Sequence, residues 1–254
     1  QFNNQNYAKL AISGGTKVSQ FNANEPIKGF INDISSTFFK DNYMKLYNKD
    51  FFGVQYSQNI ANGVNLEGKV DYSQRKPLFN TSNYTFLKND KSYTSNNPQA
   101  PDDYINPGFE THHLTTFNLN ATINFGNKFI TRPDGKYNIK NKKYPSLFLN
   151  YEKGFAANEK KYEFDKVEAK ISYNMLLKNK GELAVNFNVG KFFNAENIAF
   201  IDYKHFNGNQ THIELSEKYL DAFLLMPYYS NSTNTSYFQL HSEYNDNGFI
   251  MNKI

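Results

Sequence analysis

Five histidines and no cysteine set the limits on what chemistry this 254-residue chain can do. His112 and His113 are adjacent, so on an extended strand they point to opposite faces and cannot share a metal ion. His205, His212 and His241 carry no His-Glu-x-x-His spacing and have no thiolate partner. Structural or loop roles are the expectation for all five, with His112 and His113 at the surface or in an interfacial girdle. "YNDNG" at 244 to 248 has the look of a cation loop but lacks the alternating carboxylates and closing Glu of an EF-hand, so it reads as a turn. "ISGGT" at 12 to 16 is followed by no Gly-Lys-Ser/Thr, so its glycines are expected to make a hairpin turn rather than a phosphate cradle. Asp102 and Asp103 form an acidic pair in a polar loop, where solvation is the usual role. No Gly-x-Ser-x-Gly elbow occurs, so the chain is read as a non-enzyme with no cofactor and no metal. The Asn-x-Ser/Thr sequons at Asn80, Asn83, Asn209 and Asn231 are what an Asn-rich chain yields by chance.

The elements that must position these residues announce themselves by alternation. "GVNLEGKVDYS" sets Val64, Leu66, Gly68, Val70 and Tyr72 against Asn65, Glu67, Lys69, Asp71 and Ser73. A period of two means an extended strand with one apolar and one polar face. "FNLNATINF" repeats the pattern with Phe117, Leu119, Ala121, Ile123 and Phe125, and "VEAKISYNM" with Val167, Ala169, Ile171, Tyr173 and Met175. In "ELAVNFNVG" the apolar set is Leu183, Val185, Phe187 and Val189. Weaker alternation occurs around Tyr7 to Ile12, Met44 to Tyr56, Leu147 to Tyr151, Ala199 to His205, Leu220 to Met226 and Tyr237 to Glu243. That makes about ten strand candidates and almost no helical period.

The apolar face meets either a protein core or lipid. Several candidates run about 9 to 12 residues, the length that crosses a bilayer at a barrel tilt and longer than the roughly 5 to 6 of a soluble strand. Their other faces are dense in Asn, Ser, Thr, Lys and Glu, and Tyr and Phe gather at strand ends, as girdles would. No apolar run approaches the roughly 18 residues of a membrane-spanning helix. "MLLKNKGEL" and "FFNAENIAF" look like tight turns, whereas Phe79 to Glu110 is one long polar stretch containing Pro98, Pro101 and Pro107. Short turns at one end and long loops at the other suit the periplasmic and extracellular sides respectively. The expected fold is therefore all-β: a transmembrane antiparallel β-barrel in the outer membrane. Val64, Leu66, Val70, Phe117, Leu119, Ile123, Val167, Ile171, Leu183, Val185 and Phe187 are expected to face lipid. The loop at about 79–110 is expected to be extracellular and mobile, with "RPDG" at 132 to 135 and "KNKG" at 178 to 181 in periplasmic turns. The net charge of +4 comes from dispersed Lys, with no basic block of the kind that binds nucleic acid.

Longer stretches carry a resemblance. "NYMKLYNKDF" at 42 to 51, "YSQRKPLFNTS" at 72 to 82, "HFNGNQT" at 205 to 211 and the final "HSEYNDNGFIMNKI" resemble a family of Bacteroidetes outer-membrane proteins of unassigned function. In that family a carboxypeptidase-like regulatory β-domain precedes a carboxy-terminal barrel, and the resemblance covers the barrel portion over residues 1–254. The barrel is distantly similar to the BamA and two-partner-secretion transporter class, which implies roughly sixteen strands, of which this chain would supply a part. The Val/Ile-Arg-Gly-Phe/Tyr loop motif of that class is missing, and "HFNGNQT" stands in its place. A chain that begins at Gln1 without a leader and stops at Ile254 without a final aromatic strand is expected to be a piece of a longer protein. The implied partners are outer-membrane lipid, lipopolysaccharide and other envelope proteins. The implied function is transport, secretion or assembly of macromolecules at the outer membrane; the alternative is a structural or docking barrel in a larger envelope complex.

Overall fold

The computed structural model describes residues 7–87, 90–133, 135–139, 141, 143–211 and 220–246. Its dominant feature is an eight-stranded antiparallel sheet: β1 (Lys9–Gln20), β2 (Leu46–Ala61), β3 (Val64–Pro77), β4 (His112–Asn124), β7 (Ser146–Phe155), β8 (Phe164–Leu176), β9 (Glu182–Phe193) and β10 (Ser236–Asn245), paired in that order. Between β4 and β7 the chain makes a separate hairpin, β5 (Lys128–Arg132) with β6 (Gly135–Ile139). Within "RPDG", Arg132 ends β5 and pairs with Gly135, the first residue of β6. The fold is all-β, and the two edges of the large sheet, β1 and β10, have no strand partner among the described residues.

Because every connection in the large sheet reverses direction, the connections divide between two ends. The segments 62–63, 125–145 and 177–181 lie at one end; 21–45, 78–111, 156–163 and 194–235 lie at the other. Asn62-Gly63 closes the tightest of them. Gly63 has φ of 77°, a left-handed conformation that L side chains rarely adopt and that two-residue hairpin loops require.

Register carries the alternation across the whole sheet. Residues paired in an antiparallel ladder share a face, so the row Ile12, Val54, Val70, Phe117 and the row Val64, Ile123, Leu147, Ile171, Phe187, Leu240 lie on one side. The row Glu67, Asn120, Asn150, Glu168, Gly190, Tyr237 lies on the other. The burial of the two sides is the reverse of that in a soluble sandwich. In β9, Asn186 and Asn188 are 5% and 3% exposed while Phe187 and Val189 are 39% and 42% exposed. In β3, Asp71, Ser73 and Arg75 are buried while Val70 and Tyr72 are exposed.

Several expectations are corrected. Gly14 and Gly15 sit inside β1, paired with Phe52 and Phe51, instead of in a hairpin turn. A Cβ on Gly14 would press on the Phe51 carbonyl and the Phe52 ring, so the glycine is where a bulky neighbour covers the strand. Ala199 to His205 is no strand, because Phe200 and Ile201 are buried side by side and the Asp202 amide bonds back to the Ala199 carbonyl in a short 3-10 turn. Leu220 to Met226 is likewise irregular in its described form, with Leu225 exposed and the Met226 amide bonded to the Phe223 carbonyl. Alternating runs this short cannot distinguish a strand from a packed turn. "FFNAENIAF" is accordingly the start of the long connection 194–235.

A helix that alternation hides, α1 (Gly29–Phe39), occupies the connection between β1 and β2. It ends where Lys40 turns left-handed and its amide bonds to the Ser35 and Ser36 carbonyls. The 79–110 loop is anchored as well as long. Ser95, Asn96 and Asn97 are buried, and Asn96 donates to the Leu78 carbonyl at 2.9 Å while the Leu46 amide donates to Asn96 Oδ1 at 2.9 Å.

Candidate functional site: the buried polar face and the segment that fills it

The polar side of the sheet is covered by residues 194–211 and 220–235 of the last connection, which fold down onto it. Arg75 on β3 donates to both carboxylate oxygens of Asp202, each at 2.6 Å. Glu168 on β8 accepts from Lys204 Nζ at 3.0 Å and from the Tyr237 hydroxyl on β10. Lys170 on β8 reaches Asp221 at 2.8 Å, and Asn186 on β9 donates to the same carboxylate at 2.8 Å. On the opposite flank Asn207 accepts from Asn22, just beyond β1, at 3.1 Å, and the Tyr229 ring packs on Phe21. One segment reaches β3, β8, β9, β10 and the residues flanking β1 only if the sheet curls around it.

Two apolar clusters seal the upper half of this interior. Leu114, Phe164, Phe192 and Tyr237 from the strands enclose Ala195 and Ile198, with Tyr203 and Phe206 packed against them. Phe21, Phe109 and Tyr162 enclose Ala199, Phe200 and Ile201, with Tyr47 and Tyr229 alongside. Gly190 makes room for one of these contacts, since a Cβ there would lie inside the Tyr237 ring. Below the clusters the polar face is a ladder of amides and carboxylates. Asn150 donates to Asn120 at 2.7 Å, Asn120 to Glu67 at 3.3 Å, and Asn188 to Glu168 at 3.1 Å. Lys49 and Lys69 both close on Asp71, at 2.7 and 3.2 Å, and Lys166 pairs with Glu152.

The histidines take structural places. His112 is buried, not at the surface or in a girdle, and stacks on Tyr162 with ring centroids 4.0 Å apart. His113 points to the opposite face and stacks on Tyr72, whose hydroxyl lies 2.9 Å from its Nδ1. His205 sits in the filling segment with Nδ1 2.7 Å from the Ser232 hydroxyl and its ring against Phe200 and Tyr229. Burial there pushes its pKa down to about 4. The same burial raises the Tyr229 hydroxyl, and it lowers Lys204 against the pull of Glu168. His241 faces inward against Phe223. His212 and the end of "YNDNG" lie outside the described residues. Asp103 accepts from the amides of Ile105 and Asn106, a local turn. Among the described residues no group of three or more His, Asp or Glu could hold a metal ion.

All eleven residues expected to face lipid lie on the single unburied apolar side: Val64, Leu66, Val70, Phe117, Leu119, Ile123, Val167, Ile171, Leu183, Val185 and Phe187. The residues that sequence reasoning missed are the pins of the filling segment: Arg75, Glu168, Lys170, Asp202, Lys204, Asp221 and Tyr237. Their signal was present only in part, as Arg75, Glu168 and Lys170 set at alternate positions inside strands, where a solvated face would explain them equally well.

These features define a class: an all-β chain whose large antiparallel sheet leaves an apolar face uncovered and packs one of its own connections on the polar face. The chain belongs to the family described as the C-terminal domain of a family of unknown function, DUF5686, whose model matches residues 1–254. No curated protein and no solved structure matches it. No described helix is long and apolar enough to cross a membrane, which does not bear on a β-barrel.

Proposed function

We propose that this chain is part of the wall of an outer-membrane β-barrel that moves or inserts a macromolecule, with residues 194–211 and 220–235 as its plug. The observation that supports it most is the inverted burial, plainest in β3, β4, β8 and β9: amides and charges on the covered face, apolar side chains on the uncovered one. Water offers no driving force for that arrangement, whereas acyl chains do. On this reading the barrel closes by pairing the edges of β1 and β10 with further strands, because an unpaired edge is not tolerated in hydrocarbon. The link to the BamA and two-partner-secretion class, with its roughly sixteen strands, is part of the same proposal, as are the Bacteroidetes origin and a non-enzymatic role. The polar interior suits passage of a hydrophilic chain once the plug moves.

A second reading is favoured by the plug itself. Three ion pairs and two apolar clusters hold it, as would suit a closed barrel that docks other envelope proteins.

The chain has no Trp, so single Trp substitutions report position directly. Trp at Ile171 should be quenched by lipids brominated in the acyl chain, and Trp at Lys170 should not. Equal quenching at both would sink the barrel. Planar-bilayer recording separates the two functions: conductance that rises when Asp202 and Asp221 are replaced by Ala supports passage, and a barrel silent in both forms supports docking.

A further inference from the structure

The outward apolar band ends, toward the long connections, in a polar rim: Thr16 and Asp50 on β1 and β2, Lys76 on β3, Lys153 on β7, Asp165 on β8, and Lys191 with Ser236 on β9 and β10. Most of these charges are neutralised within the rim. Asp50 accepts from Lys76 at 2.7 Å and from Thr16 at 2.6 Å, and Lys153 pairs with Asp165 at 3.1 Å. Lys191 differs. Its Nζ lies 5.2 Å from the centre of the Phe193 ring, and among the described residues it has no carboxylate partner.

Around Lys191 the surface opens into a groove of about 690 Å³ across β8, β9 and β10. Its floor is Ala169 and Val189, which are register partners, and its sides are Val167, Phe193 and Phe238. Ala169 is the small residue at the groove, standing between the larger Leu149 and Val189 in the row Leu66, Ala121, Leu149, Ala169, Val189, Phe238.

We propose that this groove holds one lipid of the outer leaflet, an acylated and phosphorylated glycolipid, with an acyl chain along Ala169 and Val189 and its phosphate against Lys191 and the Ser236 hydroxyl. The inference rests on the reading of this face as lipid-facing. The occupant follows from two features together: an apolar trough that calls for a chain, and an unneutralised cation at its upper end that calls for an anion. The leaflet follows from the rim's position beside the long connections, the end assigned to the cell exterior.

The test uses the full chain in mild detergent, with lipid A, phosphatidylglycerol and phosphatidylcholine as separate probes and bound lipid counted by native mass spectrometry. The wild type should retain one lipid A per chain, at least fivefold more than phosphatidylcholine. Lys191→Glu and Ala169→Phe should each lower that retention at least fivefold, whereas Ala121→Phe, on the same face at β4, should not. Lys191 is a surface residue, so its variant tests the site without disturbing the fold. Retention unchanged in Lys191→Glu, or lowered equally by Ala121→Phe, would overturn the site, and phosphatidylglycerol held as firmly as lipid A would overturn the choice of glycolipid. A chain that enters no vesicle of any composition would overturn both this site and the barrel reading, whereas entry with no preferred lipid would overturn the site alone.

Discussion

The Arg75 guanidinium on β3 and the Asp202 carboxylate in the filling segment lie 127 residues apart in sequence and 2.6 Å apart in space, both nearly sealed from solvent. A pair this buried gains little over an apolar pair of the same shape, yet losing one member strands the other charge. Asp202→Ala should therefore destabilise the fold by about 3 to 5 kcal/mol. Arg75→Met combined with Asp202→Leu should recover most of that loss. Equilibrium unfolding in detergent of the two singles and the double checks it; additive losses would mean that the pair does not anchor the segment.

Depth on the outward face should be legible as a gradient. Ile171 lies midway along the apolar run of β8, and Tyr72 lies at the polar rim of β3 beside His113. Arginine at Ile171 should cost about 2 to 4 kcal/mol and at Tyr72 only about 0 to 1, measured by folding into lipid vesicles. In a soluble protein arginine at two exposed positions would cost little at either, so the two environments predict different results for the same pair of variants.

Much of this architecture is readable from residue order, and what is not has a physical cause. Val64 to Tyr72, Phe117 to Phe125, Val167 to Met175 and Leu183 to Val189 alternate cleanly, and each lies within an observed strand or ends one residue beyond it. Their shared face follows from the period alone. Ala199 to His205 alternates too, but its side chains answer to Arg75 and Glu168, residues more than thirty positions away, and nothing local reveals that. α1 was hidden for the opposite reason. Phe30, Ile34 and Phe38 recur at helical spacing, but over only 11 residues and between two strands. The pins of the filling segment were the least legible, because a Glu or Lys at an alternate strand position looks the same whether it meets water or Lys204.

The pH response should come partly from His205. Its folded pKa is depressed to about 4 by burial, below the ordinary imidazole value of 6.5. Between those values the unfolded chain binds a proton that the folded chain does not, so stability is full above pH 6.5 and is lost as pH falls toward 4. The slope in that window should be about 1.4 kcal/mol per pH unit from this group. Unfolding midpoints at pH 7.5, 6 and 5 should fall in step, and His205→Asn should flatten that part of the curve while leaving the carboxylate-driven loss at lower pH.

The assignment of inside and outside rests on the two ends of the sheet, and the chain lends itself to a direct test because it has no cysteine. Ile105 lies in the 78–111 connection and is among the most exposed apolar residues; Lys180 lies in the 177–181 connection at the opposite end. A cysteine placed at either position is accessible in the folded protein, so labelling differences report the membrane and not burial. With the long connections outside, a membrane-impermeant maleimide added to intact cells should label Ile105→Cys and leave Lys180→Cys unmodified until the outer membrane is permeabilised. The reverse pattern would invert the topology and move the Lys191 groove to the inner leaflet. Labelling of both at equal rates in intact cells would mean that the sheet does not separate two compartments, and the apolar band along Val70, Phe117 and Ile171 would then have to be covered by protein.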